Sequence, residues 1–354
     1  MQTKKGMNVL SLFNGMSTGQ KALENVGVKI GNYFSSEIKP AAIKLTQFHN
    51  PETIQLGDIM NWKEWDIDWQ SIDLVLSGSP CQDLSIAGKR AGINGKRSSL
   101  FWVFIDIYNH IKVKNPNVLF FQENVGSAPK KDIGIMSRAL GVYPVRFNSS
   151  LVTAQLRDRY YWTNIKVKEF GMFGDLVVDI PPPKDRKVMF KDIIENGVTD
   201  REKSTCVLEG YGRNNFKNND SKKAQKYLKS RDAKGMCPLV YIENDEVRVA
   251  ANTVKGYDVA TEDDCINLSF PKSKTRRARV TKGKSPCLLE GDEKLYTLKD
   301  FKVRTLTKTE LCRLQGFPDD YCEILSRNQA ASLLGDGWTL PMIEHFFKYL
   351  KNAK

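Results

Sequence analysis

Between residues 8 and 165 the chain alternates two kinds of hydrophobic pattern. Short runs rich in β-branched and aromatic residues read as strands: NVLSLF (8–13), KIGNYFSSE (29–37), DLVLSGS (73–79), NVLFFQEN (117–124), VRFNSSLV (145–152) and RYYWTNI (159–165). Between several of them, TGQKALENVG, PAAIKLTQFH and SSLFWVFIDIYNHIKV place apolar residues three and four apart, the period of a helix with one buried face. Strand and helix in turn predict an α/β fold with a doubly wound, mostly parallel sheet. In such sheets functional groups gather at the carboxyl ends of the strands.

At PPPKDRK (181–187) the alternation stops, and a polar, Gly- and Asn-rich stretch follows. KSTCVLEG (203–210) and KSPCLLEG (284–291) echo each other inside it, as a duplicated strand and turn or as a chance likeness. From residue 305 the helical period returns in LTKTELCRLQGF and NQAASLLGDGWTLPMIEHFFKYL. The expected organisation is a first domain over 1–183, a second, smaller, irregular domain over 184–300, and a segment over 301–354 that rejoins the first.

Composition narrows the class. Hydrophobic residues make up 41% and charged residues 27%, which suits a folded globular chain. No apolar run approaches the length of a membrane span, and MQTKKGMNVLSLF reads as a first strand rather than a signal peptide. The expected compartment is the cytoplasm, with no membrane partner. The seven cysteines are odd in number and no two have CxxC spacing, which argues against a disulfide framework. The three histidines lie far apart, so no metal is expected.

Charge adds a partner. The net charge is +13, and residues 184–300 hold 25 Lys and Arg against 19 Asp and Glu. KSKTRRARVTKGK (272–284) has seven basic residues and no acidic one. A basic run can be a solvated face, but this run and GRNNFKNNDSKKAQKYLKSRDAK in one basic segment point to a polyanion, with nucleic acid foremost.

The strand ends carry the candidate chemistry. SLFNGMSTGQKAL places Gly15 and Gly19 at a strand-to-helix turn, where a bare backbone lets a ligand approach closely. Glu37 ends the next strand, near the spacing of a carboxylate that holds ribose hydroxyls, and Asp58 is placed at the end of the third strand to accept from an adenine amino group. Together they suggest an adenosine-containing cofactor. The turn is not G-x-G-x-x-G, which disfavours a dinucleotide.

DLVLSG leads Ser79, Pro80 and Cys81 to the same edge. A cysteine after an apolar strand can be a core residue. The proline stiffens the strand exit and suits a loop that presents a thiolate nucleophile. NVLFFQENV brings Glu123 to that edge, as a strand-end cap or as a carboxyl that passes a proton. In TAQLRDRYYW, Arg157 and Arg159 share one face of an extended segment, as an ordinary exposed pair or as anchors for a phosphate, a keto oxygen or a carboxylate.

In this order the motifs resemble those of the DNA cytosine-5 methyltransferase family. SLFNGMSTG resembles its cofactor loop, GSPCQ its nucleophile loop, QENV its proton-donor strand and QLRDRYYW its Gln-x-Arg-x-Arg segment. RTLTKTELCRLQGFPDDY and LLGDGWTLPMIEHFF resemble its last two motifs. The likeness covers residues 8–165 and 303–350. SLFNGMSTG, DLVLSGSPCQDLSIAG and RYYWTN are also similar to the de novo type of mammalian enzyme, on a chain of bacterial or phage size. The middle segment takes the place of the family's variable target-recognition domain. Ser11 stands where many members carry Asp, Ser17 and Thr18 replace glycine, and Asp336 stands where Asn is usual; these departures bear on cofactor contacts.

The resemblance implies the fold of the S-adenosylmethionine-dependent methyltransferases and methyl transfer to carbon 5 of a cytosine. In that reading Cys81 adds to carbon 6, Glu123 bonds and protonates ring nitrogen 3, Arg159 holds the 2-keto oxygen and Arg157 supports the pocket. Phe13 meets the adenine of S-adenosylmethionine, Glu37 the ribose, and Asp58 with Ile59 the adenine edge. Asn14, Gly15, Gly19, Ile38, Pro80, Asp336 and Trp338 complete the cofactor pocket. Gln82, Ser85 and Asn124 face the substrate, and Arg276, Arg277 and Arg279 the DNA. The implied partner is double-stranded DNA, bound by a monomer that can accompany a cognate restriction enzyme. The target cytosine must leave the stack at a cost of a few kcal/mol, which phosphate and groove contacts offset. The rivals are an RNA cytosine methyltransferase of the same fold, a catalytically inactive DNA-binding regulator, and a nicotinamide enzyme that the missing fingerprint opposes. No code maps residues 184–300 to a target sequence.

Overall fold

The computed structural model describes residues 6–80, 100–197, 199, 201–208, 211, 222–233, 238–242, 247–250, 253–254, 257–260, 265–267, 280–281, 295–297 and 302–352. The alternating half folds as β1 (Met7–Leu12), α1 (Thr18–Asn25), β2 (Ile30–Ser36), α2 (Pro40–His49), β3 (Ile54–Gln55), β4 (Leu74–Ser77), α3 (Leu100–Lys114), β5 (Leu119–Val125), α4 (Lys130–Leu140), β6 (Val145–Asn148) and β7 (Asp158–Thr163). The strands form one seven-stranded sheet in the order β3-β2-β1-β4-β5-β7-β6. The first five run parallel to one another, and β7 runs antiparallel to both β5 and β6. The expected doubly wound, mostly parallel sheet is present.

Its layers follow from strand parity. Alternate residues of β5 face opposite sides, so Phe120 packs on Tyr108 of α3 while Phe121 faces the other way. Trp162 of β7 likewise donates to Ser137 of α4, whereas Tyr161 turns with Phe121. Every residue of β1 and β4 is buried, as expected of parallel strands covered on both faces. The paired strands β8 (Val167–Phe170) and β9 (Asp175–Val178) follow β7.

Contacts divide the chain into two units: Met1–Ile193 with Glu202–Asn215 and Thr307–Lys354, and Ile194–Arg201 with Phe216–Leu306. The polar stretch after PPPKDRK does not leave the first unit at once. Arg186 N donates to Leu151 O at 2.8 Å, Phe190 is fully buried, and Lys203 Nζ donates to the carbonyls of Ser150, Thr153 and Val188. Within the second unit lie α5 (Lys222–Ala233), β10 (Leu239–Ile242), β11 (Val247–Ala250), β12 (Tyr257–Ala260), β13 (Cys265–Asn267), β14 (Val280–Thr281), β15 (Leu295–Thr297) and β16 (Lys302–Thr305). Its short strands pair antiparallel, β10 with β16, β11 with β12, and β13 with both β14 and β15.

The first unit closes with α6 (Lys308–Gln315), α7 (Arg327–Asp336) and α8 (Leu340–Phe347). Thr307 with Glu310, and Ser326 with Gln329, form capping boxes that start α6 and α7. The helical stretch read as continuous from 328 to 350 is broken at Gly337, whose extended backbone (ψ 165°) ends α7, and α8 restarts with proline in its first turn. Two other expectations shift. The strand foreseen over 145–152 stops at Asn148, whose side chain accepts from Ser150 N and turns the chain into a short 3₁₀ helix. The third strand is only two residues long, so Asp58 lies beyond it, at the head of the 3₁₀ helix Ile59–Glu64.

α8 packs its aromatic side onto the Phe121 face: Phe346 and Phe347 lie 5.2 and 5.5 Å from the Phe121 ring, and Phe346 lies 4.8 Å from Tyr161. Phe121 is thus the centre of the contact between the sheet and the C-terminal segment. Phe121→Ala is expected to lower stability by about 3–5 kcal/mol in urea denaturation, because the rigid cluster cannot collapse into the void.

Candidate active site

The strand order reverses between β1 and β4, so the loops after these strands leave the sheet in opposite directions and open a crevice at its carboxyl edge. On the β1 side the turn is held in an unusual backbone. Phe13 (φ 56°), Gly15 (φ 57°) and Ser17 (φ 61°) are all left-handed, a conformation that costs non-glycine residues roughly 1–3 kcal/mol each. Buried bonds offset that cost. Asn14 donates to Ser17 Oγ and Thr46 Oγ1 and accepts from the hydroxyl of Tyr33, while Ser17 Oγ reaches Gln20. Burial pushes the Tyr33 hydroxyl far above its ordinary range, so it remains a donor.

Glu37 knits this turn to the end of β2. Its Oε2 accepts from Gly15 N (2.7 Å), and its Oε1 from Ile38 N (2.8 Å) and Lys39 N (2.9 Å). A carboxylate offers about four acceptor directions, so these bonds leave room for a hydroxyl. Asp58 is exposed and accepts from Met60 N, and Ile59 is buried behind it. A half-exposed aromatic at Phe13, a tethered carboxylate and an exposed one at successive strand ends match the donors and ring of an adenosine. Lys39 forms an ion pair with Asp336 whose side chains are 45% and 41% exposed, a geometry that contributes roughly 0–1 kcal/mol.

On the β4 and β5 side, Glu123 is 8% exposed and both of its oxygens are occupied. Arg159 Nε lies 2.7 Å from Oε1, and Trp338 Nε1 donates to Oε2 at 3.0 Å. Antiparallel pairing explains the first contact: Val125 is opposite Arg159 and Glu123 opposite Tyr161, so Glu123 and Arg159 are diagonal neighbours on one face. Burial, and next the charge on Glu123, keep the Tyr161 hydroxyl protonated far above its usual range. At the exit of β4, Ser79 Oγ receives the side-chain amides of Gln122 (3.1 Å) and Asn124 (3.4 Å), which fix the root of the loop that leads through Pro80. Asn124 is only 2% exposed, and its own Oδ1 accepts from Val125 N.

Arg157 parts from Arg159. It is 3% exposed, and its guanidinium donates to Gly335 O (3.1 Å), Gly337 O (2.8 Å), Val207 O (3.4 Å) and Cys206 Sγ (3.3 Å). A cation on carbonyls at the end of a helix is favourable for both charge and hydrogen bonding. Gln315 supports the same turn: Nε2 donates to Leu334 O and Gly337 O, and Oε1 accepts from Gln155 and Thr339. Arg157 therefore positions the turn that carries Trp338. The sequence placed Ser79 at this edge but did not single out Gln122, Gln315 or Thr339; their only signal is polarity inside apolar stretches.

Cys81, Gln82 and Ser85 lie outside the described residues, as do Arg276, Arg277 and Arg279 and the repeat at 284–291. Among the described residues no group of His, Cys, Asp and Glu could hold a metal ion, and no helix is long and apolar enough to cross a membrane.

Comparison with known proteins places the crevice in context. The profile of the family described as C-5 cytosine-specific DNA methylase matches residues 7–352. The chain is 25% identical over 417 residues to the type II methyltransferase M.NgoBV of Neisseria gonorrhoeae, covering 95% of this chain and 96% of that protein. It is 27% identical over 341 residues to the type II methyltransferase M1.ScrFI of Lactococcus lactis subsp. cremoris, covering 92% and 74%. The solved Entamoeba histolytica methyltransferase EhMeth shares the fold at a TM-score of 0.54 and 15% identity, covering 99% of both chains.

Arg157→Lys keeps the charge but cannot fork to several carbonyls. It is expected to cost about 1–3 kcal/mol in urea denaturation, since carbonyls of Gly335 and Gly337 lose a buried donor. Unchanged stability would show that this clamp is incidental.

Proposed function

Because the chain belongs to the C-5 cytosine-specific DNA methylase family, we propose that it methylates carbon 5 of a flipped-out cytosine in a specific sequence of double-stranded DNA, through a covalent bond to Cys81. The observation that carries this reading is the Glu123 carboxyl, held by Arg159 on one oxygen and Trp338 on the other at the carboxyl edge of the sheet.

S-adenosylmethionine is the cofactor of the family, and when bound it supplies an activated methyl group. The turn after β1 fits such a molecule. Phe13 would meet its adenine, Glu37 a ribose hydroxyl, and Asp58 with Ile59 the adenine edge, while Asn14, Gly15, Gly19, Ile38, Pro80, Asp336 and Trp338 complete the pocket.

The residues of the chain divide the chemistry. Cys81 as thiolate adds to carbon 6 of the cytosine, a step that needs the ring face and hence a base outside the stack. Glu123 bonds ring nitrogen 3 and delivers a proton there as the ring accepts electrons. Arg159 holds the 2-keto oxygen, the second site of developing negative charge. The electron pair that reaches carbon 5 forms the new carbon–carbon bond to the methyl group, whose bond to the sulfonium sulfur would break to leave S-adenosylhomocysteine, and ring nitrogen 3 returns its proton to Glu123. A water then removes the carbon-5 proton, and the pair left behind expels Cys81. Arg157 holds the pocket wall. Gln82, Ser85 and Asn124 line the substrate side.

The +13 charge and the run 272–284 support a nucleic-acid partner, with Arg276, Arg277 and Arg279 on phosphates. The chain works as a monomer on one duplex in the cytoplasm, alone or beside a cognate restriction enzyme. The segment over 184–300 supplies the target recognition.

Base-resolution mapping of DNA from a methylation-free bacterium expressing the protein tests the proposal. We expect 5-methylcytosine in one fixed sequence context, and none with Cys81→Ser. If well-expressed protein leaves DNA unmarked but methylates transfer RNA, the substrate is RNA. DNA binding without methylation of either would identify a regulator.

A further inference from the structure

We propose that Trp338 is a positioning residue for Glu123, coupling the cofactor turn to the proton-donating carboxyl; the inference rests on the methyl-transfer reading above. The indole lies between the proton-donating carboxyl, the exit of β4 and the start of α1. Its N–H donates to Glu123 Oε2 at 3.0 Å. Its ring lies against Gly78, where an added Cβ would stand 2.7 Å from the indole nitrogen, so the residue three before Cys81 must be bare for the ring to fit. Its far edge lies 3.6 Å from the Cβ that Gly19 lacks, at the start of α1, in the turn that fits the adenosine-bearing cofactor.

Arg159 alone could let the carboxyl rotate about its last torsion. A second donor on the other oxygen, from a different element, fixes the carboxyl plane. The N–H is neutral, so it orients Glu123 without adding charge to the site. The turn that holds the indole is itself clamped at Gly335 and Gly337 by Arg157 and Gln315. Phe121, 5.3 Å away, closes its other side. A ligand that presses on the indole from the cofactor turn is thereby felt at Glu123.

The chain has six tryptophans, so the indole N–H of Trp338 can be assigned in ¹⁵N-tryptophan spectra by comparison with Trp338→Phe. We expect that resonance to move on Glu123→Gln and again when S-adenosylhomocysteine is added. In single turnover, Trp338→Phe should slow methyl transfer about tenfold, the worth of one positioning hydrogen bond. S-adenosylhomocysteine affinity should fall by less than the rate, because phenylalanine keeps a ring in the cofactor pocket and loses only the N–H, and the same substitution in the Glu123→Gln background should add little, since the two act as a unit. Trp338→His, which keeps a ring N–H, should recover part of the rate. The inference is overturned by a resonance indifferent to Glu123→Gln, or by Trp338→Phe weakening S-adenosylhomocysteine while the single-turnover rate holds. Wild-type protein that methylates no DNA, yet shows the resonance responding to both Glu123→Gln and S-adenosylhomocysteine, would sink the DNA reading and leave the coupling standing.

Discussion

The guanidinium of Arg157 is the contact on which the rest of the site leans. It sits just ahead of β7, almost without solvent, and binds carbonyls at the end of α7, 178 and 180 positions later in the chain. Those carbonyls have no partners within their own helix, and a buried cation satisfies both their hydrogen bonding and their partial charge. With the end of α7 held, Gly337 turns the chain and Trp338 is delivered to Glu123, a residue 215 positions before it. A chemical group on the fifth strand is thus shaped by the last helices of the chain. The ion pair with Arg159 is local to the sheet, but the orientation of the carboxyl is not.

The opposite wall of the crevice works differently. Its left-handed residues do not relax because Asn14, Tyr33, Thr46 and Gln20 form a buried network beneath them, and because Glu37 binds Gly15 N from the next strand. Strain is stored in that turn and held there by these bonds. One side of the crevice is therefore held by a short-range network of neutral polar groups, and the other by a buried cation acting across the chain. Local polar bonds suit a turn that must keep its shape, and a long-range clamp suits a wall assembled from distant segments.

The same division explains how a long segment can interrupt the fold. Closing a longer loop costs little extra entropy, about 0.6 kcal/mol per doubling, provided its ends are held. Lys203 binds the carbonyls of Ser150, Thr153 and Val188, and Arg313 reaches Ile193 O, so the chain is pinned to the first unit where it leaves and where it returns. Residues 216–306, which fall in the second unit, are where the chain can lengthen between those pins.

The chain's own pattern determined most of the sheet. The cores of runs such as NVLSLF and DLVLSG are buried on both faces, as parallel strands covered by helices require, so β1 and β4 were legible together with the edge to which they lead. Alternation also put Glu123 and Arg159 within reach once β5 and β7 were paired. The partners of Arg157 were not legible: strand parity grouped it with Arg159, while tertiary packing sent it to the end of α7. Nor was the break at Gly337 visible in a stretch whose apolar period runs on, or the indole of Trp338 against Glu123. Periodicity records which side of an element is buried, because every turn or pleat repeats that choice. A single hydrogen bond between residues two hundred positions apart leaves no repeat, and only the folded chain decides it.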